Sequence, residues 1–334
     1  MNLSIICPIY NEEKYISRCI ESLIRQDYPK DDLEVLLVDG MSTDKTREII
    51  ASYIPQCPWL HVIDNPDKIV PCAMNRGIRA AKGDVIMRID AHTFYESNYC
   101  SAIVKRLKEL DADNVGCVCK TDVLNKTPKA LAIREVLGSR FGVGNSVFRT
   151  GIDGVREVDT VPFGCWPRRV FEKYGLYDER LVRNQDIELS KRIINGGGKI
   201  FIIPDTFCTY LARETFGALA KNNYGNGKWI ILTVFYTKQM KSLSLRHFIP
   251  LLFVLSLLVP SVVGLVWPPA ALLSAASLCL YLVALGTVSA RLALGKHLNF
   301  IYLLGGFVTL HCSYGWGSLC GILALPALMH KKES

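Results

Sequence analysis

Charge is almost missing from the last quarter of this 334-residue chain. Between Phe248 and Met329 only Arg291 and Lys296 carry a full charge. That run excludes a fully soluble protein, and the ordinary charge load before it excludes a disordered chain. The N-terminus has no long apolar run. Leu3–Ile9 is too short for a signal peptide and has neither basic flank nor cleavage site, so the N-terminal part is expected in the cytoplasm. The 12 cysteines form no CxxC pair and no Cys/His cluster at zinc spacing, which excludes a disulfide scaffold and points to buried cytosolic thiols. No G-x-G-x-x-G follows the first strand, which disfavours a dinucleotide oxidoreductase. The total charge of +8 includes the two lone cations and a basic tail. What remains before residue 248 is too mild for nucleic acid. No repeat or low-complexity segment is present.

What is present is alternation. Apolar runs at Leu3–Ile9, Val35–Val38, His61–Ile63, Val85–Ile89 and 115–119 read as strands. Between them lie helical patterns. One places Ile16, Ile20, Leu23 and Ile24 on a single face, one opens at Ser42-Thr43-Asp44, one runs Pro71–Ala81, and one lies near 96–110. This order predicts an α/β fold with a mainly parallel sheet covered on both faces. Ligands in such sheets bind at the carboxyl ends of strands. The informative residues are then Tyr10–Glu12, Asp39–Asp44 and Asp90–His92. Farther on, the five glycines of 138–154 suggest a loop, Glu157–Val161 and Lys199–Ile203 strands, and Arg168–Tyr174, Asp186–Asn195 and Glu214–Tyr236 helices.

The mean hydropathy of +0.21 is high for a soluble enzyme, and the contrast between the two parts that produces it becomes a domain division. Residues 1–236 are expected to form a domain of ordinary composition, regular over 1–120 and less regular over 121–236. Residues 237–247, with Lys238, Lys241, Arg246 and His247, form a basic membrane-proximal segment. Residues 248–330 form a membrane region of about three helical segments. Phe248–Trp267 is long enough to cross about 30 Å of hydrocarbon. Ala270–Ala290 returns after Pro268-Pro269, and Arg291 and Lys296 then mark the cytoplasmic side. Phe300–Met329 exceeds one ordinary span and is interrupted by Gly305, Gly306, Gly315, Gly317 and Gly321. Its topology stays open between one crossing and a broken or re-entrant pair.

Three acidic residues stand out: Asp39, Asp90 and Asp186. Each alone can be a helix cap. Together they suit an enzyme that binds a base and ribose, holds a diphosphate through a hard divalent metal, and deprotonates an acceptor hydroxyl. Pro8-Ile9-Tyr10-Asn11-Glu12, Val38-Asp39-Gly40-Met41-Ser42-Thr43-Asp44-Lys45-Thr46, and Asn75-Arg76-Gly77 followed by Lys82-Gly83-Asp84 resemble the family 2 glycosyltransferases of the GT-A fold over roughly residues 1–240. Asp90-Ala91-His92 resembles the D-x-D metal motif with histidine in place of the second acid. The glycine loop and this variant resemble bacterial exopolysaccharide enzymes of the succinoglycan-biosynthesis type.

The resemblance implies that 1–236 form a cytoplasmic catalytic domain, with 1–120 on the nucleotide-sugar side and 121–236 on the acceptor side, and it implies residue roles. Pro8, Tyr10 and Glu12 would line the uracil site, and Asp39 would bind the base or ribose. Asn75, Arg76 and Gly77 would lie near the nucleotide, and Asp90 and His92 near the metal, manganese or magnesium, and the diphosphate. Arg183-Asn184-Gln185-Asp186-Ile187-Glu188 resembles the N-E-D motif, with Gln185 in the acid's place, Asp186 as candidate base and Glu188 as fallback. Trp166 would stack on a sugar or belong to the core. Lys228 and Trp229 occupy the place of the Q-x-x-R-W motif of processive synthases, with Gly225 where glutamine stands. They would contact the diphosphate or acceptor, or lie on a membrane-surface helix. The expected function is inverting transfer of one sugar from a UDP-sugar to a lipid-linked, polyprenyl diphosphate glycan at the cytoplasmic face of the inner membrane. Membrane lipids and no nucleic acid are the other expected partners. A polyprenyl-phosphate glycosyltransferase, a processive synthase and a non-catalytic scaffold are the alternatives.

Overall fold

The computed structural model describes residues 1–144, 146–238 and 247–333. Asn145 and the basic residues Lys241 and Arg246 lie outside the described residues. The chain divides into two compact units. One comprises Met1–Lys120 with Val147–Leu211, the other Thr121–Ser146 with Ala212–Ser334.

The first unit is built on a mixed sheet. Its parallel half begins with β1 (Leu3–Ile9), followed by α1 (Ile16–Ile24), β2 (Leu33–Asp39), α2 (Thr46–Tyr53), β3 (Leu60–Asp64), α3 (Val70–Ala80) and β4 (Val85–Arg88). Then come β5 (Thr93–Tyr95), α4 (Tyr99–Glu109) and β6 (Asn114–Asp122). Helices α5 (Pro128–Gly138) and α6 (Arg140–Val143) belong to the second unit. The chain returns through α7 (Val147–Thr150), β7 (Arg156–Glu157), β8 (Cys165–Pro167), α8 (Arg169–Tyr174), α9 (Gln185–Asn195) and β9 (Ile200–Leu211). The sheet order is β3-β2-β1-β4-β8-β6-β9-β5, with β7 beside β9. Strands β3, β2, β1 and β4 are parallel, whereas β8 runs antiparallel to both β4 and β6.

Apolar burial drives this arrangement. β1 puts Ile5 and Cys7 into one face and Ile6 into the other, all fully buried. Ile16, Cys19, Ile20 and Leu23 of α1 cover the first face, and Ala73, Met74 and Ile78 of α3 cover the second. Each buried isoleucine, leucine or methionine among them contributes about 1.5–3 kcal/mol. Because β2 and β4 lie on opposite sides of β1, the order reverses there. A crevice therefore opens outside the carboxyl ends of β1 and β4.

The sequence reading differs from the structure in several places, and helix α5 is one element it did not contain. The glycine-rich 138–154 segment contains the short helices α6 and α7 rather than only loop. The expected strand 157–161 shrinks to β7. β5 was not foreseen. β9 continues well past Ile203, because Cys208–Tyr210 find backbone partners in β5.

The second unit continues with α10 (Phe216–Thr237), α11 (Ile249–Val263), α12 (Ala271–Lys296) and α13 (Phe300–Glu333). Two stretches, Pro268–Lys296 and Phe300–Met329, are long and apolar enough to cross a membrane. The expected first span is a helix of only 15 residues, about 22 Å at 1.5 Å per residue. It stops at Gly264, ahead of the Pro268-Pro269 pair. Of the two arrangements left open for 300–329, the structure has the unbroken one. α13 is one continuous helix with Pro326 inside it.

Its glycines serve contact instead. A Cβ on Gly317 would lie 2.1 Å from the Tyr224 carbonyl oxygen of α10, and one on Gly315 would lie 2.2 Å from that of Pro250. In return, Gly227 of α10 approaches the Tyr314 carbonyl, where a Cβ would sit at 2.0 Å. Small residues on both helices thus let two backbones meet. Gly227→Val is expected to cost about 1–3 kcal/mol by overpacking and to lower the thermal unfolding midpoint in detergent. Gly217→Ala, whose methyl meets open space, should leave that midpoint unchanged or raise it. Equal midpoints for Gly227→Val and the parent would contradict the helix contact.

Candidate functional site

Two loops at strand ends are tied to each other before any ligand arrives. After β1, Asn11 turns with φ of 54°, and after β2, Met41 turns with φ of 61°. The Asn11 amide donates to Ser42 Oγ at 2.9 Å, and the Thr43 amide donates to Asn11 Oδ1 at 2.8 Å. The Glu12 amide donates to Thr46 Oγ1 at 2.8 Å. Burial opposes the charge on Asp44, but the Thr46 hydroxyl and the amides of Thr46 and Glu13 hold its carboxyl below the usual range. The asparagine, serine and threonines of the two motifs therefore cross-link the loops and fix the rim of the crevice.

Beneath the rim lies a cavity of about 160 Å³, lined by Pro8, Tyr10, Glu12, Asn65, Lys68, Arg88, Asp90 and His92, among others. The Lys68 ammonium lies 5.9 Å from the centre of the Tyr10 ring. Asn65 is buried and donates to the Ile69 carbonyl at 3.1 Å. Its Oδ1 has no partner among the described residues. Asp90 is fixed by its backbone, whose amide donates to the Tyr95 hydroxyl at 2.8 Å. Its carboxylate accepts from Arg88 Nε at 3.1 Å and Nη2 at 3.4 Å. His92 Nδ1 is 3.6 Å from Glu12 Oε1, and its ring meets the edge of Tyr210 at 5.4 Å.

Arg88 is the site's buried cation, 8% exposed. Burial opposes its charge, but Asp90, Tyr177 and Asp186 around it outweigh that and hold the guanidinium more firmly protonated than usual. Asp186 lies in the first turn of α9 and accepts from the Ile187 amide at 2.9 Å. It is not a lining residue of the cavity. Glu188, the fallback base, is committed to Arg192 through bonds of 2.7 and 2.8 Å.

The other expected residues sit elsewhere. Asp39 is fully buried. It accepts from Ser42 Oγ at 2.6 Å and from Arg47 Nε at 2.5 Å, so it shapes the turn that carries Gly40. Asn75 donates to the Tyr177 carbonyl at 2.9 Å and to Glu179 at 2.8 Å, and it accepts from the Tyr177 amide at 2.9 Å. Arg76 pairs with Asp67 at 2.8 Å. A Cβ on Gly77 would lie 2.5 Å from Ile6 Cγ2, so this glycine is needed for packing. Trp166 is 2% exposed, with Phe171 and Tyr177 against its ring. Gln185 is buried. Lys228 and Trp229 belong to the second unit, on α10. Sequence reasoning missed Arg88, Asn65, Lys68, Tyr95 and Tyr210. For Arg88 a signal existed, since a lone charge inside the apolar run Val85–Ile89 must find buried partners.

No cluster of three or more metal-ligating side chains occurs among the described residues. The donor set at the cavity is a carboxylate and an imidazole, with Glu12 beside the imidazole. This suits a hard cation that takes its remaining ligands from phosphate and water. Asp90 and His92 are the residues that would hold it.

A mixed sheet, with a crevice at the switch point of its parallel half closed by cross-tied acidic loops, defines the GT-A class of glycosyltransferases. The profile described as Glycosyl transferase family 2 matches residues 4–177, and the chain belongs to that family. The chain is 31% identical over 226 residues to the succinoglycan biosynthesis protein ExoA of Rhizobium meliloti, covering 67% of each. It is 28% identical over 237 residues to a dolichyl N-acetyl-alpha-D-glucosaminyl phosphate 3-beta-D-2,3-diacetamido-2,3-dideoxy-beta-D-glucuronosyltransferase of Methanococcus voltae, covering 69% of this chain and 74% of the relative. A solved mannosyltransferase from Pyrobaculum calidifontis, in complex with GDP-Man and Mn2+, shares the fold with a TM-score of 0.61 at 20% identity. The match covers 96% of this chain and 87% of that one.

Asn75 separates a structural from a binding role. Asn75→Ala removes three hydrogen bonds and leaves the Tyr177 backbone groups unpaired, at a cost of about 2–4 kcal/mol. The expected result is a lower unfolding midpoint with nucleotide affinity of the folded protein little changed. A selective loss of nucleotide affinity at an unchanged midpoint would reverse the assignment.

Proposed function

We propose that this glycosyltransferase moves one sugar, with inversion, from a UDP-sugar to a lipid-linked glycan at the cytoplasmic face of a membrane. The observation that carries this reading is the cavity at the carboxyl ends of β1 and β4, where Tyr10 and Glu12 face Arg88, Asp90 and His92. Pro8 and Tyr10 offer apolar surface to a base. Asn65 Oδ1 offers a buried acceptor to a base N–H. Asp39 holds the turn beside them rather than touching the nucleotide, and Asn75 and Gly77 hold α3 in place. A divalent cation, manganese or magnesium, held by Asp90 and His92, would neutralise charge growing on the leaving diphosphate.

Asp186 is the base in this reading. Its carboxylate takes the proton of the acceptor hydroxyl, whose oxygen then bonds to the anomeric carbon as the bond to the diphosphate breaks. Attack from the opposite side inverts the configuration. Glu188 does not substitute for it, because Arg192 occupies both carboxylate oxygens.

The lipid-linked acceptor rests on the two long apolar stretches of the second unit and on the relative whose name describes a dolichyl-linked acceptor. A soluble acceptor would not require such helices. Placing α12 and α13 in the bilayer, with Lys296 at its cytoplasmic side, agrees with the positive-inside rule. GDP-mannose is the second donor reading, favoured by the ligand of the Pyrobaculum enzyme.

Release of nucleotide from UDP-sugars and GDP-mannose, with membrane lipid extract as acceptor, tests the donor. Asp186→Asn should lower kcat by about 10²–10⁴ while leaving nucleotide-induced thermal stabilisation intact. Undiminished turnover in that variant would favour a lipid phosphate acceptor, which needs no base.

A further inference from the structure

The carboxylate expected to receive a metal is already engaged. Both oxygens of Asp90 accept from the Arg88 guanidinium; Arg88 is the last residue of β4 and Asp90 lies two residues beyond it. The pairing is sheltered, since the side chains are 10% and 19% exposed. A cation approaching Asp90 meets a fixed positive charge in direct contact with its ligand. In a partly buried site this repulsion is only weakly screened. The motif has histidine in the position after Ala91, so it supplies no second carboxylate of its own; the other acids near the pair are Glu12 beside His92 and Asp186 in the field of Arg88.

The guanidinium has a further donor to give. Arg88 lines the cavity, and its Nη1 has no hydrogen-bond partner among the described residues. An arginine fork presents paired donors to phosphate oxygens. Diphosphate is the anion that the proposed donor brings into this cavity.

We infer that Arg88 is a diphosphate-contacting residue that guards Asp90. In the free protein the guanidinium closes the carboxylate to divalent cations. The donor diphosphate draws the guanidinium toward itself and opens Asp90, so nucleotide binds before metal. This inference rests on the reading of the cavity as the donor site. Arg88 also carries part of the diphosphate's charge itself, so some nucleotide affinity persists without metal.

The test uses the full chain in detergent. Manganese binding is read by the loss of the free-ion magnetic resonance signal, and UDP binding by calorimetry in EDTA. The parent should bind manganese weakly alone and at least about tenfold more tightly with UDP. Arg88→Gln should bind manganese alone at least about tenfold more tightly than the parent, and should lose UDP binding in EDTA. Manganese affinity in Arg88→Gln equal to or below that of the parent would overturn the inference.

Should Arg88→Gln fail to fold, Asp90→Asn gives the converse reading. It frees the guanidinium, so UDP binding in EDTA should hold or strengthen, and its loss would overturn the inference. If the parent binds no UDP under any condition, the donor-site reading fails and the diphosphate part of the inference fails with it. The manganese comparison in the absence of nucleotide then still decides whether Arg88 guards Asp90.

Discussion

A buried guanidinium between carboxylates is the constraint around which the site is organised. Arg88 sits at the end of β4, where backbone pairing with β1 and β8 leaves little freedom. Removing a buried charge from water costs several kcal/mol unless partners replace the lost hydration. Asp90 supplies hydrogen bonds, and Asp186 supplies field from α9. The same cation therefore links the strand that carries the D-x-H motif with the helix that carries the candidate base. Neither carboxylate stands alone, because the one guanidinium interacts with both.

The rim shows a second economy. The polar residues of the two loop motifs hydrogen-bond mainly to each other, as Asn11 with Ser42 and Thr43, and Glu12 with Thr46. Fixed loops spare a ligand the cost of ordering them. In the second unit, glycines do the corresponding work for helices. Gly227, Gly315 and Gly317 let backbones touch where any side chain would hold them apart. Close packing of this kind does not depend on water and so suits an apolar surrounding.

The parallel half of the sheet was legible because its strands are continuous apolar runs and its helices show clear 3.6-residue periodicity. The reversal at β8 and β6 was not legible. Cys165–Pro167 is too short for a periodic signal, and its pairing with β4 is a long-range choice. Motif letters located the cavity but did not separate contact from support. Pro8, Tyr10, Glu12, Asp90 and His92 line it, whereas Asp39, Asn75 and Gly77 hold the elements that do. That distinction depends on burial and partners, which spacing does not encode. The glycines of α13 left its topology open for a related reason. A glycine weakens an isolated helix, yet here its absent side chain is what the neighbouring helix requires.

The most direct test of the account is a structure of the full chain with UDP and manganese bound. The account places the pyrimidine against Tyr10 and Pro8, the diphosphate within hydrogen-bond reach of the Arg88 guanidinium, and the metal on Asp90 and His92. A nucleotide seated instead in the groove lined by Trp59, Lys30 and Lys82, at the amino ends of β1 and β2, would contradict it. So would a diphosphate bound with Arg88 still paired to Asp90 and no metal beside it.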